Sequence, residues 1–299
     1  MMIFLQNCID GFMIGGFYAL FALGFTLMFG VMKWTNLAYG SCIMLGVFSG
    51  IWMHLHFQLD LFWIFFVIIL ITVIAGYYVE RLCYRWLPKK AFMAMMVSSF
   101  AIWMQLDEIV RIYFPSRSYP FPRLMDNDLM MIGPLMFKAE GLLILVICGL
   151  LAGTIFLFLY KTRYGLAMRA VSEDPVASRY VGINMPSILL GTSIIASVIG
   201  GIAGFLMATS DAQVSTEFGL WVTYKSLIAM TLAGLGSIRG AVLGGIILGV
   251  IEANSLWYLG AEYRDLVSFM LFFIVLVILP GGLLGTAKEQ KARAAVRRG

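Results

Sequence analysis

Residues 61–80 read LFWIFFVIILITVIAGYYVE, an apolar stretch whose only charged side chain is the last one, Glu80. A helix rises about 1.5 Å per residue, so about 20 such residues cross the roughly 30 Å hydrocarbon core of a bilayer. Hydrophobic residues make up 61% of the chain and charged residues 12%, whereas soluble domains are about 45–50% apolar. The stretch therefore predicts a transmembrane helix, and the composition predicts a protein that crosses the membrane many times.

Similar apolar runs occur along the whole chain. They do not alternate polar and apolar residues over about ten positions, as the strands of a membrane β-barrel do. We predict an all-α polytopic membrane protein with about eight or nine transmembrane helices, some broken or short, forming one transmembrane domain over residues 1–299. The predicted helices are 9–31, 38–54, 61–80, 92–112, 141–160, 188–208, 220–236, 240–258 and 264–281.

The basic residues predict the orientation. With nine crossings and the N-terminus outside, most of the 21 lysines and arginines face the cytoplasm, as the positive-inside rule requires. Segment 161–187 and the basic tail 286–299 are then cytoplasmic, and the proline-containing segment 113–140 is an outer loop. No basic residue precedes the first run, so we expect that run to stay in the membrane as a helix. The net charge of +5 indicates cytoplasmic loops and a tail near anionic lipid headgroups, not a nucleic-acid partner.

The residue types used in catalysis and metal binding are scattered. His54 and His56 are two positions apart and point to nearly opposite sides of a helix. The sequence has no GxxxxGK[ST] phosphate-binding loop and no Ser/His/Asp or Cys/His grouping. We therefore predict no enzyme activity, no catalytic residue, no metal and no cofactor, and ATP would be bound by another subunit. A membrane-embedded enzyme would need histidines or acids that come together at membrane depth. The sequence does not indicate such a grouping. The four cysteines, expected to be small buried side chains, are Cys8, Cys42, Cys83 and Cys148.

Among the polar residues inside predicted helices, two ionisable ones stand out as candidates, Lys225 and Glu252. Ionisable groups at membrane depth are costly and are functional candidates by default. Two interpretations are open: the groups lie near a transport path, or they are structural, with Lys225 reaching outwards along its aliphatic stem to the membrane surface. The runs that contain TNLAYGSC (35–42) and TLAGLGSIRG (231–240) are short and interrupted, as are broken helices that form binding sites in transporters.

Glycines recur at a spacing of four residues. Gly245 and Gly249 show this spacing, and Gly11 and Gly15 repeat it near the start of the chain. Small residues at this spacing allow two membrane helices to approach closely. Packing within the chain and a moving or subunit interface both remain open as explanations.

Segment 161–187, KTRYGLAMRAVSEDPVASRYVGINMPS, is a polar island between apolar runs. Ser172 or Asp174 can cap a helix, Pro175 suits its first turn, and acidic residues stabilise its positive end. Gly182 is a typical left-handed helix stop. We therefore predict a short capped helix, from about Pro175 to Val181, on the cytoplasmic face, with an ordinary solvated linker as the alternative.

Five blocks in this order resemble the permease subunits of ABC importers for branched-chain amino acids. They are YALFALGFTLMFGVMKWTNLAYG (18–40), VERLCYRWL (79–87), TRYGLAMRAVSEDPVASRYVGIN (162–184), LAGLGSIRGAVLGGIILGVIEA (232–253) and YRDLVSFMLFFIVLVILPGGLLG (263–285). The resemblance covers nearly the whole chain. It implies a multi-pass protein of the bacterial inner membrane that works with a second permease, two cytoplasmic ATPase subunits and a periplasmic substrate-binding protein.

The resemblance also implies roles for individual residues. Segment 161–187 would hold the coupling helix that docks on the ATPase. Its contact or shaping residues would be Glu173, Asp174, Ala177, Gly182, Ile183 and Asn184. Polar residues within the spans would line the substrate path; the candidates are Thr26, Asn36, Tyr39, Ser98, Lys225, Thr231 and Glu252.

This chain departs from the family pattern at two places. Residues 36–41 read Asn-Leu-Ala-Tyr-Gly-Ser where the family often has Asn-Phe-Ala-His-Gly-Glu, and Arg239 replaces a frequent proline. The first departure removes an acidic residue near the presumed path. The resemblance implies leucine, isoleucine or valine as substrate, with urea, short amides or another amino acid as the alternative. A stand-alone channel would need no coupling helix.

Overall fold

A computed structural model describes residues 2–32, 36–85, 92–124, 129–132, 135–234, 236–279 and 281–283. A π-helical turn, Glu80–Arg85, follows α3, and a 3-10 turn, Ala261–Tyr263, precedes α11. The helices are α1 (Met2–Met32), α2 (Tyr39–Phe57), α3 (Leu61–Val79), α4 (Phe92–Tyr113), α5 (Ala139–Lys161), α6 (Arg163–Glu173), α7 (Pro175–Tyr180), α8 (Met185–Asp211), α9 (Phe218–Ala233), α10 (Ile238–Tyr258) and α11 (Arg264–Ile278). The strands are β1 (Ser118–Pro120), β2 (Leu129–Ile132), β3 (Leu135–Lys138) and β4 (Gln213–Ser215).

Each of the nine predicted apolar runs coincides with a helix, so the all-α polytopic prediction is confirmed. Within the described residues, seven helices are long and apolar enough to cross a membrane. The other two predicted spans, α9 and α11, have only 16 and 15 residues, as expected for a fold with some short helices. The basic tail, 286–299, lies outside the described residues.

The helices group into two compact units that each use discontinuous parts of the chain. Unit 1 contains residues 1–26, 127–152 and 225–299, and unit 2 contains residues 27–126 and 153–224. The prediction of a single transmembrane domain stays a prediction.

Unit 2 is built around α2, α3 and α8. An added Cβ on Gly50 would lie 2.8 Å from Ile68, and one on Gly204 would contact Ile43. The Ser193 hydroxyl of α8 donates to the Gly76 carbonyl of α3 at 3.2 Å. Glycine contacts and interhelical hydrogen bonds of this kind hold helices together in lipid, where hydrophobic burial drives helices together only weakly.

Unit 1 contains a close contact between α1 and α10. An added Cβ on Gly11 would lie 2.6 Å from the Val250 Cα, and one on Gly15 would lie 2.6 Å from the Ile246 Cα. Gly245 and Gly249 face the α1 backbone in the same way. The spacing of four thus serves packing within the chain at this place, one of the two explanations left open by the sequence.

The predicted outer loop, 113–140, contains short strands. β1 pairs antiparallel with β4, with Tyr119 opposite Val214, and β2 pairs antiparallel with β3. Phe114 and Tyr119 pack edge to face with ring centroids 5.1 Å apart. The prolines end helix α4 as predicted and leave a short surface structure.

Candidate functional site

The polar island folds as two helices, of which the sequence predicted only the second. Thr162 begins α6, where its hydroxyl accepts from the Gly165 amide at 3.0 Å. The Arg169 guanidinium donates to the Leu159 carbonyl at 3.1 Å and lies 4.5 Å from the Tyr160 ring centroid. Helix α6 therefore folds back on the end of α5. The sequence pattern does not predict this contact, because it depends on the direction that the backbone takes after α5.

Helix α7 has the capped structure that was predicted. The Asp174 carboxylate accepts from the Val176 and Ala177 amides at 2.8 and 3.0 Å, directly before Pro175. The helix ends at Tyr180, one residue earlier than predicted. Ser172, the other possible cap, instead donates to the Gly30 carbonyl at 2.6 Å.

Gly182 closes α7 with the hydrogen bonds of a Schellman motif. Its φ is +84°, a conformation that glycine adopts without the steric penalty of a Cβ. The Gly182 amide donates to Arg179 at 3.0 Å and the Ile183 amide donates to Ser178 at 3.1 Å. Both ends of this six-residue helix are therefore fixed by local hydrogen bonds.

The next helix begins at once and is joined to α6. Asn184 caps α8 by accepting from the Ser187 amide. The Tyr164 hydroxyl donates to the Ser187 carbonyl at 2.9 Å. Partial burial raises the pKa of Tyr164, so the phenol stays protonated and keeps its donor. Segment 161–187 is thus folded into two hydrogen-bonded helices and is not an irregular linker.

Segment 161–187 presents an apolar surface together with acidic groups. Tyr180 is 88% exposed and Val181 is 81% exposed, with Val176 on the same short helix. Glu173 and Asp174 are exposed beside them. Exposed large apolar side chains with a polar rim are typical of protein-binding surfaces.

A second feature, the charge cluster, lies in unit 1. It consists of Tyr18 on α1, Lys225 on α9, Glu252 on α10, and Arg264, Asp265 and Ser268 on α11. The Lys225 ammonium donates to Glu252, to Asp265 at 2.8 Å and to Ser268 at 3.3 Å. Lys225 is 0% exposed and Glu252 is 1% exposed, so the Lys225 ammonium lies inside the protein and is not exposed at its surface.

Glu252 is the centre of the charge cluster. One carboxylate oxygen accepts from Lys225 and Ser268, and the other accepts from Tyr18 at 2.6 Å and Arg264 at 3.1 Å. An ionised carboxylate has about four acceptor sites, and here four donors use them. The cluster is therefore a neutralised network that joins four helices. The two acids that converge here, Glu252 and Asp265, are each paired with a cation.

The remaining path candidates are buried or locally bonded. Ser98 and Thr231 donate to carbonyls of their own helices. Asn36 accepts from the Ala38 amide at 3.0 Å and so forms the turn before α2. Thr26 is 1% exposed, and its hydroxyl has no hydrogen-bond partner among the described residues. Tyr39 is 2% exposed. Their role in transport stays a prediction.

The sequence matches the family described as branched-chain amino acid transport system / permease component over residues 7–276. The chain belongs to this permease family. LivH, the high-affinity branched-chain amino acid transport system permease protein of Salmonella typhimurium, is 30% identical to it over 96% of this chain and 97% of LivH. The corresponding BraD of Pseudomonas aeruginosa is 29% identical over 96% of this chain and 98% of BraD.

A solved structure extends the comparison to the fold of the permease. A protein described as a metal-chelate type ABC transporter, in an inward-facing conformation, matches 92% of this chain and 86% of its own with a TM-score of 0.52. Its identity is 14%, so the likeness shows the fold alone. These matches confirm the family resemblance and the predicted multi-pass location in the inner membrane.

Asp107 is a buried acidic residue of the permease that was not among the candidates predicted from the sequence. Asp107 lies within α4 and is 8% exposed. Its two carboxylate oxygens accept from the Ser41 hydroxyl at 2.7 Å and from the Trp103 indole at 3.0 Å. The available signal was an acidic residue inside the predicted helix 92–112. Among the described residues, no group of three or more histidines, cysteines and acids could hold a metal.

Proposed function

We propose that this chain is the membrane permease subunit through which an ABC importer moves leucine, isoleucine or valine into the cytoplasm. The observation that carries the proposal is the match to permeases named for branched-chain amino acids over 96% of the chain. The fold agrees with a permease of an ABC transporter, because apolar helices span the membrane and a capped polar segment separates two of them.

Transport needs partners that this chain does not supply. The sequence has no phosphate-binding loop, so the proposal assigns ATP to two cytoplasmic ATPase subunits. A second permease would complete the path, and a periplasmic binding protein would deliver the amino acid. In this scheme the chain is a transport subunit that holds no cofactor of its own.

We propose that segment 161–187, called the coupling segment from here on, is the ATPase contact. Its exposed Val176, Tyr180 and Val181 offer an apolar surface, and Glu173 offers a charge at its edge. A helix fixed at both ends can move as a rigid body. Helix α7 is joined to α8 directly through residues 181–184, and the Tyr164–Ser187 hydrogen bond joins α6 to α8 as well. Rigid-body movement of this kind is a known way to change between two conformations.

Replacing Gly182 with Val tests this assignment. A non-glycine residue at φ +84° costs of the order of 1–3 kcal/mol, which should open the Schellman motif and release the end of α7. We expect co-purification of the ATPase in mild detergent to fall by about tenfold, equivalent to about 1.4 kcal/mol of binding free energy, with membrane insertion unchanged.

Gly260→Val is the matched control for this experiment. Gly260 has φ +103° and, like Gly182, no neighbouring atom within 4 Å of an added Cβ. It lies in the turn before α11, so the same backbone strain is placed in a different part of the chain. Normal ATPase recovery with Gly182→Val, or equal loss with both variants, would contradict the assignment.

The transport proposal itself needs a direct assay. The complete importer, purified in mild detergent with its binding protein, is reconstituted into liposomes that contain ATP. We expect ATP-dependent uptake of radiolabelled leucine. Uptake of urea or acetamide without leucine would instead support the alternative substrate class, and purification without any ATPase would refute the importer.

A further inference from the structure

The two acids buried on helices α4 and α10 have different surroundings. Glu252 accepts from Lys225 and Arg264, so its charge is neutralised within the chain. Among the described residues, the donors to Asp107 are the neutral Ser41 hydroxyl and the neutral Trp103 indole. Arg111 lies one turn further along α4, and the ion pairs of the described residues do not include one between it and Asp107. A buried carboxylate without a directly bonded cation is costly at membrane depth and is a functional candidate for that reason.

The Asp107 carboxylate retains acceptor capacity. An ionised carboxylate offers about four acceptor sites, and the two hydrogen bonds to Ser41 and Trp103 occupy one on each oxygen. The strongest additional partner for such a group is a positively charged N–H donor. The Ser41 and Trp103 bonds fix the direction of the carboxylate, so its remaining sites are oriented before a ligand arrives.

Asp107 also lies where a helix begins inside the packed region. Ser41 belongs to the first turn of α2, which follows the turn closed by Asn36. The nearby Gly40 amide donates to the Thr223 hydroxyl at 3.1 Å. An added Cβ on Gly200, in the middle of α8, would lie 2.9 Å from the Tyr39 hydroxyl. Helix α2 therefore starts beside the middle of α8, the position at which broken helices bind substrates in transporters.

We propose that Asp107, oriented by Ser41 and Trp103, is a binding site for a primary ammonium group. This inference rests on the proposed function, in which the ligand is the α-ammonium of the transported amino acid. The carboxylate would form a charge-assisted hydrogen bond to that ammonium, and the Trp103 ring lies next to it as an apolar surface. Urea and amides carry no ammonium, so the site would also select against them.

The test separates the two charged groups of the substrate. The assembled importer without its binding protein is placed in nanodiscs, and saturation-transfer NMR measures binding of leucine, of 3-methylbutylamine and of 4-methylpentanoate. The amine lacks the carboxylate of leucine, and 4-methylpentanoate lacks the ammonium. We expect Asp107→Asn to weaken binding of the amine by roughly tenfold or more, the effect of losing one hydrogen bond to a charged group, without changing the binding of 4-methylpentanoate.

Three variants control the result. Glu108→Gln removes the neighbouring exposed acid on α4 and should leave amine binding unchanged, and Asp107→Glu should restore part of it. Ser41→Ala keeps the carboxylate and should keep amine binding within about threefold, because the charge supplies most of the interaction. Asp107→Glu, which keeps the charge but moves the carboxylate, still tests the site if Asp107→Asn fails to assemble.

Several results would overturn the inference. These are unchanged amine binding in Asp107→Asn, equal loss of the amine and 4-methylpentanoate, no amine binding by the wild-type importer, or displacement of the amine by equimolar sodium. Leucine uptake by the wild-type importer with its binding protein is measured separately. Leucine uptake without an effect of Asp107→Asn on amine binding would support the proposed function and refute the Asp107 site. Amine binding at Asp107 without leucine uptake would do the opposite.

Discussion

Replacing Glu252 with Gln should destabilise the permease by about 3–5 kcal/mol, the range for breaking a buried ion pair by removing one partner. Glutamine keeps the shape of the side chain but leaves Lys225, which is 0% exposed, without its buried counter-charge. It also replaces an acceptor with an amide N–H that faces the donors Tyr18 and Arg264. The free energy of unfolding is measured by denaturant titration in mixed micelles.

Glu262→Gln is the matched control, because Glu262 is exposed in the 3-10 turn before α11. We expect a change within about 0.5 kcal/mol, as for most surface substitutions. The double variant Glu252→Gln, Lys225→Met should recover part of the loss, with a coupling free energy of about 0.5–3 kcal/mol. Recovery is possible because Arg264 and Asp265 are 31% and 50% exposed and can be solvated. An unchanged free energy of unfolding in Glu252→Gln would refute the structural role of the charge cluster.

The contrast between Lys225 and helix α7 shows what the sequence could predict. The α7 caps are local, since Asp174 bonds amides two and three residues away, and the residue types alone indicate them. Lys225 and Glu252 are 27 positions apart and Tyr18 is 234 positions from Glu252. Their convergence depends on how four helices pack, which no local pattern determines.

The apolar runs were the most reliable guide to the fold because the bilayer imposes one length and one composition on a spanning helix. Helix α6 was missed for the opposite reason. It is an amphipathic surface helix of 11 residues, and its stability comes from contacts such as Arg169 with Leu159. Asp107 was missed because its hydrogen-bond partner Ser41 lies 66 positions away in the sequence.

Glycine spacing alone also fails to predict which helix faces are in contact. Gly149 and Gly153 in α5 are spaced like Gly245 and Gly249 in α10. An added Cβ on Gly149 or Gly153 would meet nothing within 4 Å, whereas one on Gly249 would meet the backbone of Gly11 and Gly15. The same motif is therefore a backbone contact in one helix and an open face within this chain in the other.

Gly249→Val should consequently be among the most damaging substitutions in the chain. Valine and glycine differ by only a few tenths of a kcal/mol in helix propensity, so the variant mainly reports steric conflict. The atoms in the way belong to the α1 backbone, and a backbone cannot change rotamer. Helices α1 and α10 must separate, and we expect a loss of about 3 kcal/mol, at or beyond the upper end of the usual range for overpacking.

Gly149→Val supplies the comparison with the same glycine spacing and the same substitution. In the isolated chain it should change the free energy of unfolding by less than about 1 kcal/mol, because nothing has to move. Both variants are measured in the same micelles, so any general effect of a β-branched residue on a membrane helix cancels. Equal stability of the two variants would mean that α1 and α10 do not approach through their glycines, and the packing of unit 1 would have to be redrawn.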